Sequence, residues 1–152
     1  ARPAWMDGRS VAGLLLGRRS DTTTPAPRPP SAAAAGRPAN AAYIEYHGLG
    51  PVGAPHRLLD SFNNTFRGVR LVGGAAAGPR FNGSPNILYA EWGSDFVFSD
   101  IAFRELYDMD ADPWQMTNLY DEWSRSSSRA HLVHELANLT RRLYNCSGVG
   151  CL

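Results

Sequence analysis

Residues 18–40 limit what this chain can fold into more than any other stretch. They read RRSDTTTPAPRPPSAAAAGRPAN and, apart from proline, contain no apolar side chain larger than alanine. Such a segment cannot bury enough surface to offset the entropy lost on ordering it. Residues 73–85 (GGAAAGPRFNGSP) form a second, shorter segment of this kind. We therefore predict a disordered insertion over 18–40 and a flexible loop over 73–85, which leaves 41–152 as the main folding unit.

Within that unit, apolar and aromatic residues alternate with other residues in four short segments. The alternation begins in 41–47 (AAYIEYH) and recurs in 66–72 (FRGVRLV), 86–92 (NILYAEW) and 103–107 (FRELY). A period of two is typical of β-strands. Residues 95–98 could add a further short strand. Gly- or Asn-rich turns separate most of the segments, which favours an antiparallel meander.

The end of the chain has the spacing of an amphipathic helix. From Ala130 onward, apolar residues recur every three or four positions and form one stripe: Leu132, Val133, Leu136, Leu139 and Leu143. The predicted fold class is therefore α+β, a small four-stranded antiparallel sheet with one C-terminal helix. One helix covers one face of such a sheet, and these strands carry apolar residues on both faces. We expect the open face to pack on a larger body.

Charge and hydropathy argue against two classes of partner. The net charge is +1, and all 15 basic residues are arginines. They are scattered along the chain rather than clustered, so no nucleic-acid partner is predicted. The longest apolar stretch, residues 11–16, is far shorter than the ~18 residues that a membrane-spanning helix needs. No membrane span is predicted.

Cysteines and glycosylation motifs together indicate the secretory route. Cys146 and Cys151 are the only cysteines, and a glycine-containing spacer allows them to form a disulfide bond. Their spacing alone leaves free thiols open. Four triplets match the acceptor pattern for N-glycosylation: Asn63, Asn82, Asn138 and Asn145. We therefore predict a secreted glycoprotein, located outside the cell, in the cell wall or in the lysosome.

The most specific motif lies in residues 105–119. There E-L-Y-D is followed by D-P-W-Q-M-T-N-L, and this block resembles the C-terminal signature of sulfatases. Residues 6–15 resemble the segment that leads into the same region of sulfatases, and residues 45–48 and 63–67 add further matches. The cysteine-containing end is similar to that of the N-acetylglucosamine-6-sulfatase and algal arylsulfatase branch. The resemblance implies that residues 1–17 end the catalytic-domain region. It also implies that 41–152 form the C-terminal subdomain of an alkaline-phosphatase-like sulfatase fold.

By this resemblance, the protein would hydrolyse sulfate esters of N-acetylglucosamine 6-sulfate, related sulfated glycans or aryl sulfates. Family members use a cysteine converted to formylglycine in C-x-P/A-x-R, a calcium ion held by Asp and Asn, and Lys and His groups on the sulfate. Neither cysteine of this chain has that context, and the chain has no lysine. The nucleophile and the calcium are therefore expected in the protein's own N-terminal catalytic domain, outside this segment. The segment alone is predicted to be inactive.

The alternative is a non-catalytic, secreted glycan-binding or interaction module derived from a sulfatase. In such a module, aromatic side chains would stack on sugar rings. The same side chains could instead pack in a core or an interface. The candidates are Trp92, Phe96, Phe98, Trp114 and Trp123.

His47 is the first candidate for substrate binding. It ends a predicted strand in a region that, by the resemblance, borders the sulfatase cleft. An imidazole can donate a hydrogen bond to a sulfate or sugar oxygen. A histidine with a purely structural role at the strand end is the alternative. Glu45 shares the same face of the strand and is the second candidate.

Two groups resemble metal sites less closely. Three aspartates, at positions 108, 110 and 112, have the spacing of half an EF-hand loop. The glycine and the glutamate that such a loop needs at its sixth and twelfth positions are missing, so turn formation is expected. His131 and His134 lie three residues apart on the predicted helix, but no third zinc ligand accompanies them. A solvated helix face is expected there.

Overall fold

Four antiparallel strands, paired in sequence order, form the framework of the fold. The computed structural model describes residues 41–48, 64–73, 81 and 83–147. Within them the strands are β1 (Ala41–Tyr46), β2 (Thr65–Leu71), β3 (Ile87–Gly93) and β4 (Ile101–Asp108), followed by helices α1 (Tyr120–Arg125) and α2 (Ala130–Tyr144). All of these elements belong to one compact unit, Pro38–Tyr144.

The fold class expected from the sequence is confirmed. The strands begin and end within one or two residues of the predicted bounds, and α2 begins at Ala130 as expected. Helix α1 was not predicted, because six residues with one buried side chain, Trp123, show no helical periodicity. The possible strand at 95–98 is wrong. There the Asp95 carboxylate accepts hydrogen bonds from the backbone N–H groups of Val97 and Ser99, which folds the segment into a turn.

One face of the sheet is covered by α2. In β2 the odd-numbered residues from Thr65 to Leu71 are all buried on this side, and α2 packs against that strand. The apolar core on this face is fully buried: Val69, Leu71, Ile87, Tyr89, Leu106, Leu136 and Leu139. Burial of these side chains supplies the main driving force for folding.

The opposite face carries a row of aromatic side chains across all four strands. Tyr46 pairs in register with Phe66, Phe66 with Trp92, and Trp92 with Phe103. We call these four residues the aromatic row. Ring centroids of the first two pairs are 6.0 and 4.9 Å apart. Among the described residues no helix covers this face, and Ile44, Tyr46 and Phe103 are 42, 43 and 52% exposed. The expected open apolar face is present.

The sulfatase-like block holds the free edge of β4. The backbone N–H of Leu106 donates to Asn118 Oδ1 at 3.0 Å, and Asn118 Nδ2 donates to the Arg104 carbonyl at 2.9 Å. Next to it, the Leu119 N–H donates to the Leu106 carbonyl at 2.8 Å. The side chain of Asn118 therefore binds β4 much as a neighbouring strand would, and it satisfies backbone groups that the sheet edge leaves unpaired.

Two of the three aspartates at the end of β4, Asp108 and Asp112, organise local turns as expected, and Asp110 binds the segment before β3. Asp108 Oδ1 accepts the N–H groups of Asp110 and Ala111 at 3.0 and 3.2 Å. Asp112 Oδ2 accepts the Thr117 N–H at 2.8 Å. Asp110 accepts the backbone and side-chain N–H groups of Asn86, and these bonds lower the pKa of its carboxyl group. Each carboxylate is therefore bound to nearby N–H donors.

Candidate functional site

The two residues predicted to contact substrate lie at the end of β1. His47 follows directly after the strand, and the Gly48 N–H donates to Thr65 Oγ1 at 3.1 Å, which fixes this end of β1 against the start of β2. The half-buried His47 ring lies 6.3 Å from the Phe96 ring and 6.1 Å from the Phe98 ring. Within the described part of the chain, neither imidazole nitrogen makes a hydrogen bond. The His47 ring therefore has an aromatic wall formed by Phe96 and Phe98.

Glu45 lies on the same face and is exposed to solvent. Its Oε2 accepts a hydrogen bond from the Tyr43 hydroxyl at 2.8 Å. Burial raises the pKa of the Tyr43 hydroxyl, and the hydrogen bond to Glu45 and its charge raise it further. Glu45 is also in register with Arg67 of β2. The fold thus brings both predicted residues, Glu45 and His47, to one end of the covered face.

A buried ion pair lies beneath them, and sequence reasoning missed it. Arg67 and Glu91 are 6 and 4% exposed, and the Arg67 Nε and Nη2 atoms lie 2.9 and 2.8 Å from Glu91 Oε2. The Tyr89 hydroxyl donates to the other oxygen, Oε1, at 2.9 Å. Burial, followed by the charge of Glu91, raises the pKa of Tyr89. A buried charge needs such partners, because transfer from water is otherwise very costly.

The Arg67 guanidinium also organises the aromatic wall of His47. It lies 4.5 Å from the Phe98 ring centroid and 5.0 Å from that of Tyr144 on α2. Phe98 has a φ of +54°, a left-handed conformation that is uncommon for a residue with a side chain. The Asp95 turn holds that conformation and directs the ring into the core. Arg67 is thus a positioning residue: it holds Phe98, and Phe98 bounds His47.

This arrangement offers polar groups and an apolar wall to a ligand. His47 offers an N–H donor beside an apolar wall, and Glu45 offers an acceptor that already takes one hydrogen bond. In the turn that carries Phe96 and Phe98, the Ser99 hydroxyl donates to the Asp95 carboxylate. The positive charge of Arg67 is compensated by Glu91.

The predicted covalent modification sites lie partly outside the described residues. Cys146 follows α2, but Cys151 is outside, so the disulfide stays a prediction. Asn63 and Asn82 are also outside. Asn138 lies within α2, where its Oδ1 accepts a hydrogen bond from Arg141 at 2.6 Å, and Asn145 is exposed just after the helix. Glycosylation of the four acceptor sites stays a prediction.

The residues present do not fit a calcium or zinc ion. Across the described ranges, no three His, Cys, Asp or Glu side chains are grouped so that they could hold a metal. His131 and His134 are both exposed on α2, and His134 Nδ1 lies 3.2 Å from the Asn138 amide nitrogen. The calcium that the resemblance implies, in a domain outside this segment, stays a prediction.

The candidate sugar-stacking residues fall in different places. Phe98 and Trp123 are buried. Trp92 belongs to the aromatic row, and its indole N–H donates to Glu105 Oε2 at 3.0 Å. Trp114 is 82% exposed, on the turn that the aspartates organise. The five aromatic residues do not form a single platform.

Comparison with known proteins adds no relative. No protein-family model matches the chain, and no curated protein matches it either. None of the helices in the described residues is long and apolar enough to span a membrane. The similarity to sulfatases therefore rests on the motifs in the sequence.

Proposed function

We propose that the chain is the C-terminal region of a sulfatase that hydrolyses sulfate esters of N-acetylglucosamine or a related sulfated glycan. The proposal rests on the structural role of the sulfatase-like block, residues 105–119. Its first part, residues 105–108, ends β4, and Asn118 and Leu119 return to bind the same strand. The motif is thus a structural unit with hydrogen bonds at its most characteristic positions, as expected of a segment that defines a subdomain.

The open face supports the view that this chain completes a larger enzyme. A contiguous aromatic row on the surface of a small sheet is a usual mark of a docking surface. By the resemblance, a catalytic domain outside this chain would cover it. That domain would supply the formylglycine nucleophile and the calcium ion, and the chain described here would supply the border of the cleft.

In that enzyme, His47 is the residue that would contact substrate. Its imidazole would donate a hydrogen bond to a sulfate or sugar oxygen, and Glu45 would accept one from a sugar hydroxyl. The rings of Phe96 and Phe98 bound one side of the imidazole. Arg67 would act only through Phe98, since it is buried and paired with Glu91.

Sulfatase assays on the intact protein test the proposal. His47→Ala should lower kcat/KM for N-acetylglucosamine 6-sulfate by roughly tenfold or more, because a hydrogen bond to a charged group is lost. His47→Gln, which keeps an N–H donor, should retain more activity, and the exposed His134→Ala on α2 should match the wild type. The chain 1–152 alone should not hydrolyse the ester.

Two results would contradict the proposal. If the intact protein cleaves no sulfate ester, the family assignment fails. If His47→Ala and His134→Ala are equally active, the role of His47 fails, while the family assignment stands. An upstream sequence without C-x-P/A-x-R would favour the alternative, a glycan-binding or interaction module. In such a module, Trp114 and Met116, each 82% exposed, would be the first candidates for contact with the ligand.

A further inference from the structure

A cavity of about 320 Å³ lies where α1, the beginning of α2 and residues 83–85 meet. It shares no lining residue with the His47 end of the sheet. Its volume is near the lower limit of the ~300–1,000 Å³ typical of small-molecule sites. Six of the lining residues have aromatic, hydroxyl or basic side chains: Phe81, Ser84, Trp123, Ser128, Arg129 and His131.

Two buried polar atoms in this lining have no hydrogen-bond partner among the residues that the structure describes. They are the Ser84 hydroxyl oxygen and the Trp123 indole nitrogen. Trp123 is 1% exposed, so its N–H is withdrawn from bulk water. Most buried polar groups in folded proteins are hydrogen-bonded, and each exception calls for a cause. A ligand oxygen in the cavity would accept a hydrogen bond from the indole and from the hydroxyl.

The basic residues around the cavity indicate that such a ligand would be negatively charged. The Arg129 guanidinium carbon lies 4.2 Å from the Trp123 ring centroid, and His131 adds a second potential cation. None of the lining residues that the structure describes is acidic, and the first turn of α2 contains no acidic residue. The beginning of a helix also carries partial positive charge, which favours anions. The cavity therefore offers donors and positive charge together.

We propose that this cavity binds one sugar ring that carries a sulfate, sulfonate or carboxylate group. Arg129 and His131 hold the anionic group, the Trp123 N–H and the Ser84 hydroxyl contact ring or substituent oxygens, and the buried Phe81 provides an apolar floor. The choice of an anionic sugar rests on the proposed function. The site would be separate from the cleft and would bind a unit of the glycan chain that is not being cleaved.

Calorimetric titration of the intact protein tests this site with three gluco-configured sugars. The probes are sulfoquinovose, whose sulfonate is bonded through carbon and is not an ester, glucuronic acid, and neutral glucose. At least one anionic sugar should bind roughly tenfold more tightly than glucose, because a charge-assisted hydrogen bond is stronger than a neutral one. The two anionic probes distinguish sulfonate from carboxylate recognition.

Matched variants assign the binding to this cavity. Arg129→Gln should weaken binding of the anionic sugar roughly tenfold. Arg125→Gln is the control, because Arg125 is an exposed arginine on α1 that pairs with Asp121 and does not line the cavity. Ser84→Ala should weaken binding without lowering Tm, since its hydroxyl has no partner to lose.

The proposal is overturned if neither anionic sugar binds at millimolar concentrations, or if Arg129→Gln and Arg125→Gln change the affinity equally. Binding that is unaffected by Arg129→Gln belongs to another site and also overturns it. These results leave the proposed function intact as long as the wild-type enzyme cleaves a sulfate ester. Conversely, an inactive protein that binds the anionic sugar through Arg129 would refute only the proposed function.

Discussion

The two faces of the sheet each carry a glutamate beside a tyrosine, but the surroundings of the two glutamates differ. On the covered face, Glu91 accepts the Tyr89 hydroxyl at 2.9 Å and pairs with buried Arg67. On the open face, Glu105 accepts the Tyr107 hydroxyl at 3.2 Å and the Trp92 indole N–H at 3.0 Å. The first carboxylate has a cationic partner, and the second accepts these two hydrogen bonds from neutral donors.

This difference shows on which face the buried charges are balanced within the chain. A carboxylate beneath a helix needs a countercharge, because water is excluded from it. Glu105 is half-buried and keeps partial access to solvent, so neutral hydrogen bonds suffice. The covered face is thus a finished core with an internal charge balance. The open face has the composition of a surface that another body would cover.

Glu91→Gln should cause the largest loss of unfolding free energy and should show how the two faces differ. It leaves the Arg67 guanidinium buried without a countercharge, and breaking a buried pair in this way costs about 3–5 kcal/mol of unfolding free energy. Glu105→Gln, the matched change on the open face, should cost at most about 1 kcal/mol, because both hydrogen bonds can still be accepted by an amide oxygen. Urea unfolding of the two variants measures the contrast.

Equal losses in the two variants would contradict the distinction between the faces. A further control removes the whole pair. Replacing Arg67 by Met and Glu91 by Leu together should recover most of the stability lost in Glu91→Gln, since no unpaired charge is left in the core. If the double variant is less stable than the single one, the ion pair does more than balance its own charges.

The strand pattern could be predicted from the sequence because alternation is a local property. In β2 and β3, every second residue is buried on the covered side. The same alternation contained a sign of the ion pair, since Arg67 falls in phase with buried Val69 and Glu91 with buried Tyr89. Two charges in phase with apolar positions indicate a buried partner. Which residues pair depends on the register between strands, and alternation does not specify that register.

Other parts of the site depend on contacts between distant segments. The sequence indicated that Asn118 would close a turn, but its bonds to β4 join residues 12 and 14 positions apart. The left-handed conformation of Phe98 results from the Asp95 turn and from packing against Arg67, which no short motif encodes. The cavity at Trp123 needs α1, α2 and residues 83–85 in place, and α1 has no periodic signal.

Alkaline pH should reveal a second difference between the faces. Burial raises the pKa of Tyr89 and of Tyr107, and Tyr89 is the more buried of the two. A pKa that is raised in the folded state means that the unfolded chain loses the proton first, near the ordinary tyrosine pKa of 10.0. The stabilisation is therefore complete below pH 10 and is lost as the pH rises above it.

Tyr89→Phe tests this directly. At neutral pH it should cost about 1 kcal/mol, the typical net value of one buried hydrogen bond. Above pH 10 the wild type should lose up to ~1.4 kcal/mol per pH unit through this one proton, and Tyr89→Phe should lose less. Tyr107→Phe should change the slope less than Tyr89→Phe does. If the unfolding free energies of the two phenylalanine variants depend on pH in the same way, the deeper burial of Tyr89 does not distinguish it from Tyr107. Unfolding in urea at several alkaline pH values gives the slopes.

Phe103→Ser should have the smallest effect on the chain alone and should show whether the open face is covered in the intact protein. Phe103 belongs to the aromatic row and is 52% exposed, and substitutions at such surface positions usually change stability by no more than about 0.5 kcal/mol. The serine should also reduce self-association, which sedimentation measures, because it shortens the exposed aromatic row. In the intact protein, a docked catalytic domain would bury this side chain, and the same substitution should then cost about 1–3 kcal/mol. A cost of 0.5 kcal/mol or less in both forms would mean that Phe103 faces solvent in the intact protein, and that the aromatic row is not where the catalytic domain docks.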